Sequence, residues 1–282
     1  MKIRNIPAYI LLSAAAFPVC LLLWIMITGT FMPVDELKAS IGSVFFGGDE
    51  KMSVWPIMPS YPTAQPIIEL LLDSPQFFVM FWNSADLVFF SVLGQFLIAA
   101  PAAWALSRFR FPGRRIVNTV YISLMLLPFQ VTMVPNYLMI DFLGLMDSSL
   151  AVILPFAFSA FPVFIMIKGF DAVPAAVLEA AKVDGAGYIV IFIRIGLPLG
   201  MPGIMSALVL GFLECWNAVE QPLLFLKSES KWPLSLYLPR IVTEKIAAAM
   251  AASLLSLLPA VLVFLFGQKY LVLGIQSAGV KE

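Results

Sequence analysis

Residues 170–198 read Phe170-Asp-Ala-Val-Pro-Ala-Ala-Val-Leu-Glu-Ala-Ala-Lys-Val-Asp-Gly-Ala-Gly-Tyr-Ile-Val-Ile-Phe-Ile-Arg-Ile-Gly-Leu-Pro198. Pro174 suits the first turn of a helix, where a fixed φ and a missing N–H cost nothing. Ala175 to Val183 are mostly good helix formers, and Gly185 can take the left-handed conformation that stops a helix. The segment therefore predicts a helix of about two turns. So short a helix is marginal alone in water and needs a partner surface to stay folded. Glu179 and Lys182, three apart, can pair along one exposed edge, while Val177, Ala180 and Ala181 offer a shallow apolar surface suited to a groove.

On both sides of this segment the chain turns apolar. Of its 282 residues, 61% are hydrophobic and 12% charged, against roughly 45–50% and about 25% in soluble domains. With a mean hydropathy of +0.96, these proportions mark a polytopic membrane protein. A hydrocarbon core about 30 Å thick needs roughly 20 apolar helical residues per crossing. Six uncharged runs fit: Ala8–Phe31, Leu87–Leu106, Val117–Ile140, Leu150–Ile167, Leu199–Ala218 and Ile246–Phe266. The first follows Lys2 and Arg4 but is longer than the apolar stretch of about 7–15 residues in a signal peptide, so it reads as a retained helix.

Basic residues near span ends stay on the cytoplasmic side. With the N-terminus inside, eleven of the seventeen Lys and Arg fall on inner segments, the densest being Arg108-Phe-Arg-Phe-Pro-Gly-Arg-Arg115. The outer segments carry six basic and twelve acidic residues. Both termini are therefore expected in the cytoplasm. The formal charge is zero, which gives no footprint for nucleic acid. Histidine is absent, which removes Ser-His-Asp chemistry and imidazole metal sites, and Cys20 and Cys215 both lie in apolar runs. No G-x-x-x-x-G-K-[ST] loop occurs, so the chain cannot cradle nucleotide phosphates in that way.

Prolines at 101, 128, 135, 155, 162, 202 and 259 interrupt the spans. Each removes an intrahelical hydrogen bond, tolerable where neighbouring helices or a water-filled path satisfy the freed carbonyl. The connection from Met32 to Asp86 contains Trp55-Pro-Ile-Met-Pro-Ser-Tyr-Pro-Thr-Ala-Gln-Pro66. It is expected to form an external, partly irregular lobe with a short helix near Ile67–Leu72.

The order Glu179-Ala180-Ala181, three residues, Gly185, nine residues, Ile195, one residue, Leu197-Pro198 resembles the EAA signature of binding-protein-dependent ABC importer permeases at every fixed position. Asn83-Ser84, Ala105-Leu-Ser-Arg-Phe-Arg-Phe-Pro-Gly113, Trp216-Asn217 and Ser277-Ala-Gly-Val-Lys281 are similar to its carbohydrate branch, in particular the maltose- and glycerol-phosphate-type second permease subunit. The resemblance covers about residues 70–282. The lobe at 32–69 is longer than in that family, and Glu214-Cys-Trp-Asn-Ala-Val-Glu-Gln221 departs from the usual Trp-Asn-Asp/Glu-Phe run. Those departures bear on the substrate.

The resemblance implies an all-α integral membrane protein of the type I, maltose-permease-like fold with six transmembrane helices. Its expected parts are an N-terminal transmembrane helix at 1–31, an external lobe at 32–86, and a five-helix core at 87–282 holding a coupling loop at 170–198 and a tail at 267–282. It implies a bacterial inner-membrane location, a second permease subunit, two ATPase subunits that bind ATP and Mg, and an external solute-binding protein. This chain would hold no cofactor or metal and catalyse no reaction. By resemblance, Glu179, Ala180, Ala181, Asp184 and Gly185 couple it to the ATPase, Gln276–Lys281 reaches the ATPase interface, and Val219–Lys245 meets the binding protein.

For the substrate path, polar residues in apolar surroundings count. A carboxylate in a membrane segment is costly and faces a cavity or partner, which singles out Glu214. Trp216 offers a flat face for a sugar ring, while Asn217 and Gln221 offer donors and acceptors for hydroxyls. Gln95, Gln130, Asn136 and Tyr137 rank second. An ion-coupled secondary transporter is the alternative, but it would be expected to show more buried carboxylates or paired broken helices. A membrane-embedded enzyme lacks an acid-base set.

Overall fold

The computed structural model describes residues 6–46, 56 and 58–279, and among them the chain is helical with no strand. Within hydrocarbon only a helix satisfies its own backbone, so apolar runs of this length fold this way. In order the helices are α1 (Ile6–Thr30), α2 (Val34–Phe46), α3 (Gln65–Leu72), α4 (Pro75–Arg108), α5 (Arg114–Met125), α6 (Phe129–Phe142), α7 (Ser149–Ala157) and α8 (Ala160–Asp171). There follow α9 (Ala175–Val183), α10 (Tyr188–Ile191), a π-helical turn (Phe192–Gly196), α11 (Leu197–Trp216), α12 (Glu220–Phe225), a 3₁₀ turn (Glu229–Lys231), α13 (Leu234–Glu244) and α14 (Ile246–Gly279).

Among the described residues five stretches are long and apolar enough to cross a membrane: Tyr9–Thr30, Pro75–Arg108, Ser149–Asp171, Tyr188–Trp216 and Ile246–Val272. The expected third span, Val117–Ile140, is corrected by the structure. It is not one rod but the pair α5 and α6, bent by 103° at Leu126–Pro128. Pro128 has no N–H to continue α5, and its ring disfavours the helical conformation at Leu127. Pro128 itself is extended, with φ −66° and ψ 151°, at the N-cap of α6. Counting this bent pair as one crossing gives the expected six.

Several expected edges also move. The second span begins at Pro75, so Pro75–Asp86 is helix and not lobe. The fifth begins at Tyr188, ahead of Leu199, and the sixth helix continues to Gly279, so the expected tail from 267 is helical that far. The lobe contains α2 as well as the short helix expected near Ile67–Leu72, which is α3. Lys2, Arg4, Trp55 and Lys281 lie outside the described residues.

The chain forms two compact units. One contains the described residues up to Val79 together with Leu236–Leu258. Its core gathers Met32, Leu37, Ile246 and Ala247, with Val34 and Met250 against them. The Glu36 carboxylate accepts bonds from the Ser60 backbone N–H at 3.0 Å and the Ser60 hydroxyl at 3.0 Å, holding the proline-rich stretch. Helix α1 is exposed on all sides from Tyr9 to Trp24, as a lipid-facing helix would be.

The other unit contains Met80–Ser235 and the chain from Pro259. In it α8 packs on α11 through glycines. A Cβ placed on Gly203 would lie 2.5 Å from the Gly169 Cα, and one on Gly200 would lie 2.7 Å from the Phe170 ring. A Cβ on Gly196 would meet the Trp104 ring at 2.7 Å. Small residues let membrane helices approach this closely, and the dispersion gained replaces the hydrophobic drive that lipid removes. Trp104, Phe170 and Phe192 close the space, with ring centroids 5.3 Å and 5.7 Å from Trp104.

Gly203→Val has no room, because the atom it meets is backbone. It is expected to cost about 1–3 kcal/mol, read as a lowered midpoint of thermal unfolding in detergent.

Candidate functional site

Two features of the larger unit bring chemistry-bearing side chains together. The first is the quoted segment. Pro174 is extended at the N-cap of α9, and Gly185 takes φ +79° just past the Asp184 C-cap, so the two-turn helix has the bounds that its sequence set. The Ala186 N–H bonds the Ala181 carbonyl at 3.0 Å and the Gly185 N–H the Lys182 carbonyl at 3.0 Å, closing a left-handed helix stop.

Leu178 and Ala181 are buried, while Val177, Glu179, Ala180, Lys182, Val183 and Asp184 face outward. Val183 is 87% exposed. Two expectations change here. Ala181 does not belong to the outward apolar surface, because it packs in the core with Trp104 and Phe170. Glu179 and Lys182 form no ion pair with each other; the Lys182 ammonium lies over the Tyr188 ring, 5.6 Å from its centroid.

The segment is tied to the basic turn after α4. The Arg108 guanidinium donates to the carbonyls of Phe170 and Val173, the latter at 2.6 Å, and the Ser107 hydroxyl donates to Asp171 at 2.6 Å. A guanidinium on the last carbonyls of α8 satisfies groups that a helix end leaves open and matches the negative end of its dipole. The resemblance assigned Ser107-Arg108 no role; its residues bolt α4 to the start of α9.

The second feature is a cleft of about 300 Å³ where α11 ends. Glu214 on α11, Asn217 at its C-cap and Gln221 on α12 line it, joined by Glu220, Phe129 and Phe156. The break at Pro128 is what brings α6 here. Gln130, the second residue of α6, donates through Nε2 to both Glu220 oxygens, at 2.9 and 3.2 Å. Asn217 Nδ2 donates to the Leu213 carbonyl at 2.8 Å, leaving its oxygen for other partners. The Gln221 Oε1 is buried and without a hydrogen-bond partner. Two carboxylates, two amides and two phenyl rings provide acceptors, donors and apolar faces, the set that a polyhydroxylated ligand uses.

The structure does not bring Trp216 into this cleft. Its ring stacks on Phe212 at 5.8 Å with planes 7° apart and meets Phe81 edge-on at 5.9 Å. Tyr137 packs against the same cluster. Gln95 is fully buried between helices, its Nε2 donating to the Phe156 carbonyl at 3.1 Å, and Asn136 lies outside the cleft lining. Among the described residues no group of three His, Cys, Asp or Glu is placed to hold a metal.

Sequence reasoning missed the clamp beside the cleft. Asp147, at φ +57°, accepts from the Lys227 and Ser228 N–H groups at 2.9 Å each, from the Ser228 hydroxyl at 2.6 Å and from Lys231 at 3.0 Å. The Ser228 hydroxyl and N–H, then Lys231, hold this carboxyl well below the usual carboxylate range. Asn83 works with it, donating to the Ser230 and Trp232 carbonyls at 2.8 and 3.1 Å, and the Ser84 hydroxyl accepts from the Leu234 N–H at 2.7 Å. Only the adjacency Asn83-Ser84 signalled this in the sequence.

A many-helix membrane chain with a polar cleft at one helix end and a short capped helix at another has the form of a permease subunit. Residues 95–276 match the family of binding-protein-dependent transport system inner membrane components, and the chain belongs to that family. It is 30% identical over 208 residues to the arabinooligosaccharides transport system permease protein of Bacillus subtilis (strain 168), covering 73% of this chain and 74% of that protein. To the lactose transport system permease protein of Rhizobium radiobacter it is 28% identical, covering 97% and 95% of the two chains. Among solved structures, a chain of a bacterial ABC transporter involved in the import of the acidic polysaccharide alginate superposes with a TM-score of 0.77 at 22% identity, covering 95% of each chain, which establishes the same fold.

Because the folded state holds Asp147 ionised more strongly than the unfolded chain, the clamp's stabilisation is complete above the ordinary carboxyl value of 3.8 and drains away as pH falls through the lower folded value. Asp147→Asn is therefore expected to lower the unfolding midpoint at neutral pH, with the gap to the wild type closing as the medium is acidified below that point. A gap independent of pH would remove the clamp's charge from the account.

Proposed function

We propose that the chain is a transmembrane permease subunit of an ATP-driven ABC importer that takes up a sugar or oligosaccharide delivered by an external binding protein. The family membership and the names of the relatives, which concern arabinooligosaccharides and lactose, support the transport class and the saccharide. Both termini lie in the cytoplasm, as the distribution of basic residues favours. ATP and Mg bind partner subunits, and a second permease completes the pathway.

One observation carries the coupling role: α9 is anchored on one side and bare on the other. Leu178 and Ala181 fix it in the core while Val177, Ala180 and Val183 present an exposed apolar surface that no described residue covers. A helix of nine residues held in this way is stable only because the core supports one face, and its free face suits a cleft in the ATPase subunit. Glu179, Asp184 and Gly185 rim that face.

Closure of the ATPase dimer on ATP would pull α9 and, through Arg108 and the α8–α11 contact, the spans with it. ATP can shift the two-state equilibrium only by its differential affinity for the closed dimer, and a full switch takes about 5.5 kcal/mol. The cleft of Glu214, Asn217, Glu220 and Gln221 is then the polar station on this chain's side of the path, with Trp216 bracing α11 behind it.

Gly185→Val forces a β-branched residue into a left-handed conformation, and Glu179→Lys reverses a charge on the docking rim. Either variant is expected to reach the membrane yet lose sugar-stimulated ATPase activity in the reconstituted complex; normal stimulation would remove α9 from the coupling role. Co-purification in mild detergent tests the class itself. Retention of an ATPase subunit and a second permease is expected, and their absence would favour an ion-coupled secondary transporter.

Glu214→Gln and Asn217→Ala each delete one hydrogen-bonding option in the cleft. Transport is expected to fall about two- to tenfold through a raised KM, the scale of one hydrogen bond, with ATPase assembly intact. Unchanged transport in both would place the substrate on the companion permease alone.

A further inference from the structure

We propose that the groove between α9 and the end of α4 binds the phosphate headgroup of an anionic phospholipid. It is a cavity of about 540 Å³ walled by Arg108, Arg110 and Arg114 from the basic turn, Glu179 and Lys182 from α9, and Tyr188. Four cations face one carboxylate. Part of that charge is already employed: Arg108 caps the Phe170 and Val173 carbonyls, and Arg114 donates to the Ser107 carbonyl at 3.0 Å. The remainder is open: Lys182 lies over the Tyr188 ring, and Arg110 is exposed. The Arg108 Nε is enclosed by protein and has no hydrogen-bond partner among the described residues.

The height of the groove selects the ligand. Arg108 is the last residue of one stretch long and apolar enough to cross a membrane and Tyr188 the first of another, so the groove lies where two such stretches end, which the proposal takes as the boundary between hydrocarbon and water. Trp104 and Tyr188 in its lining are the residue types that occupy that boundary. Beside it Phe109, Phe111, Ile189 and Ile193 expose 38%, 39%, 74% and 54% of their surfaces. A free phosphate would engage the cations and leave this apolar skirt unused, and so would an acidic side chain of a partner protein. A phospholipid uses both, its phosphate among the cations and its acyl chains along the skirt. Since α9 forms one wall, a bound lipid would brace that helix against α4. That last consequence rests on the coupling role proposed above; the binding site rests only on the membrane placement.

Native mass spectrometry of the full chain, released from mixed phosphatidylcholine and phosphatidylglycerol micelles, tests the site without any ATPase, so this proposal and the coupling role fail separately. Preferential retention of phosphatidylglycerol is expected, reduced on the order of tenfold in R110A/K182A and kept in R110K/K182R. Equal retention of the two lipids by the wild type, or retention unchanged in R110A/K182A, would overturn the proposal. Displacement by inorganic phosphate alone would assign the groove to the free anion. Loss of a co-purifying ATPase subunit from R110A/K182A with lipid retention intact would assign it to a protein partner. The wild-type lipid comparison and the phosphate competition decide the matter even if R110A/K182A does not fold.

Discussion

The contact of Gly169 with Gly203 fixes how closely α8 lies on α11, the two helices on either side of the 170–198 segment. Lipid gives helices no hydrophobic reason to associate, so two spans hold together by how closely their backbones can approach. Here α8 and α11 meet at glycine, Phe170 closes over Gly200, and Trp104 over Gly196. The same residues begin or flank the 170–198 segment. α9 therefore follows directly on a helix, α8, that is packed backbone against backbone on α11.

The cleft depends on the opposite kind of feature, a failure of regularity. A straight third span would carry Gln130 along its axis. The turn at Pro128 instead starts a new helix whose first residues, Phe129 and Gln130, reach the end of α11 and α12. Asp147, Asn83 and Ser84 then fasten the chain that follows α12. The polar cleft is built by loops and breaks pinned at several points, while the apolar bundle supplies the fixed frame.

Much of this was legible because its causes are local. Pro174, the alanine-rich run and Gly185 each act on their own neighbours, and the bounds of α9 follow from them. Long apolar runs are equally local signals, and they located the spans. What was hidden depends on distant partners. A proline in an apolar run looks the same whether it kinks a helix or ends it, and Pro128 ends it where Glu220, 90 residues on from Gln130, receives the next turn. Asp147 finds Ser228 across 81 residues, with no pattern to announce it. Lys182 chose the Tyr188 ring over Glu179, a competition that spacing alone does not decide. Trp216 is the instructive exception. Phe212 lies four residues before it, a spacing that places both rings on one face and that the sequence already displayed.

The π-helical turn at Phe192–Gly196 gives the nine-residue interval between Gly185 and Ile195 a geometric meaning. A wide turn carries one more residue than an α turn, so the chain before it is rotated by roughly 100° relative to the chain after it. Counted as ordinary helix, the interval would present α11 to α9 and α10 rotated by that angle. The number of residues in the motif therefore sets an angle, the phase between the bare face of α9 and the side of α11 that meets α8.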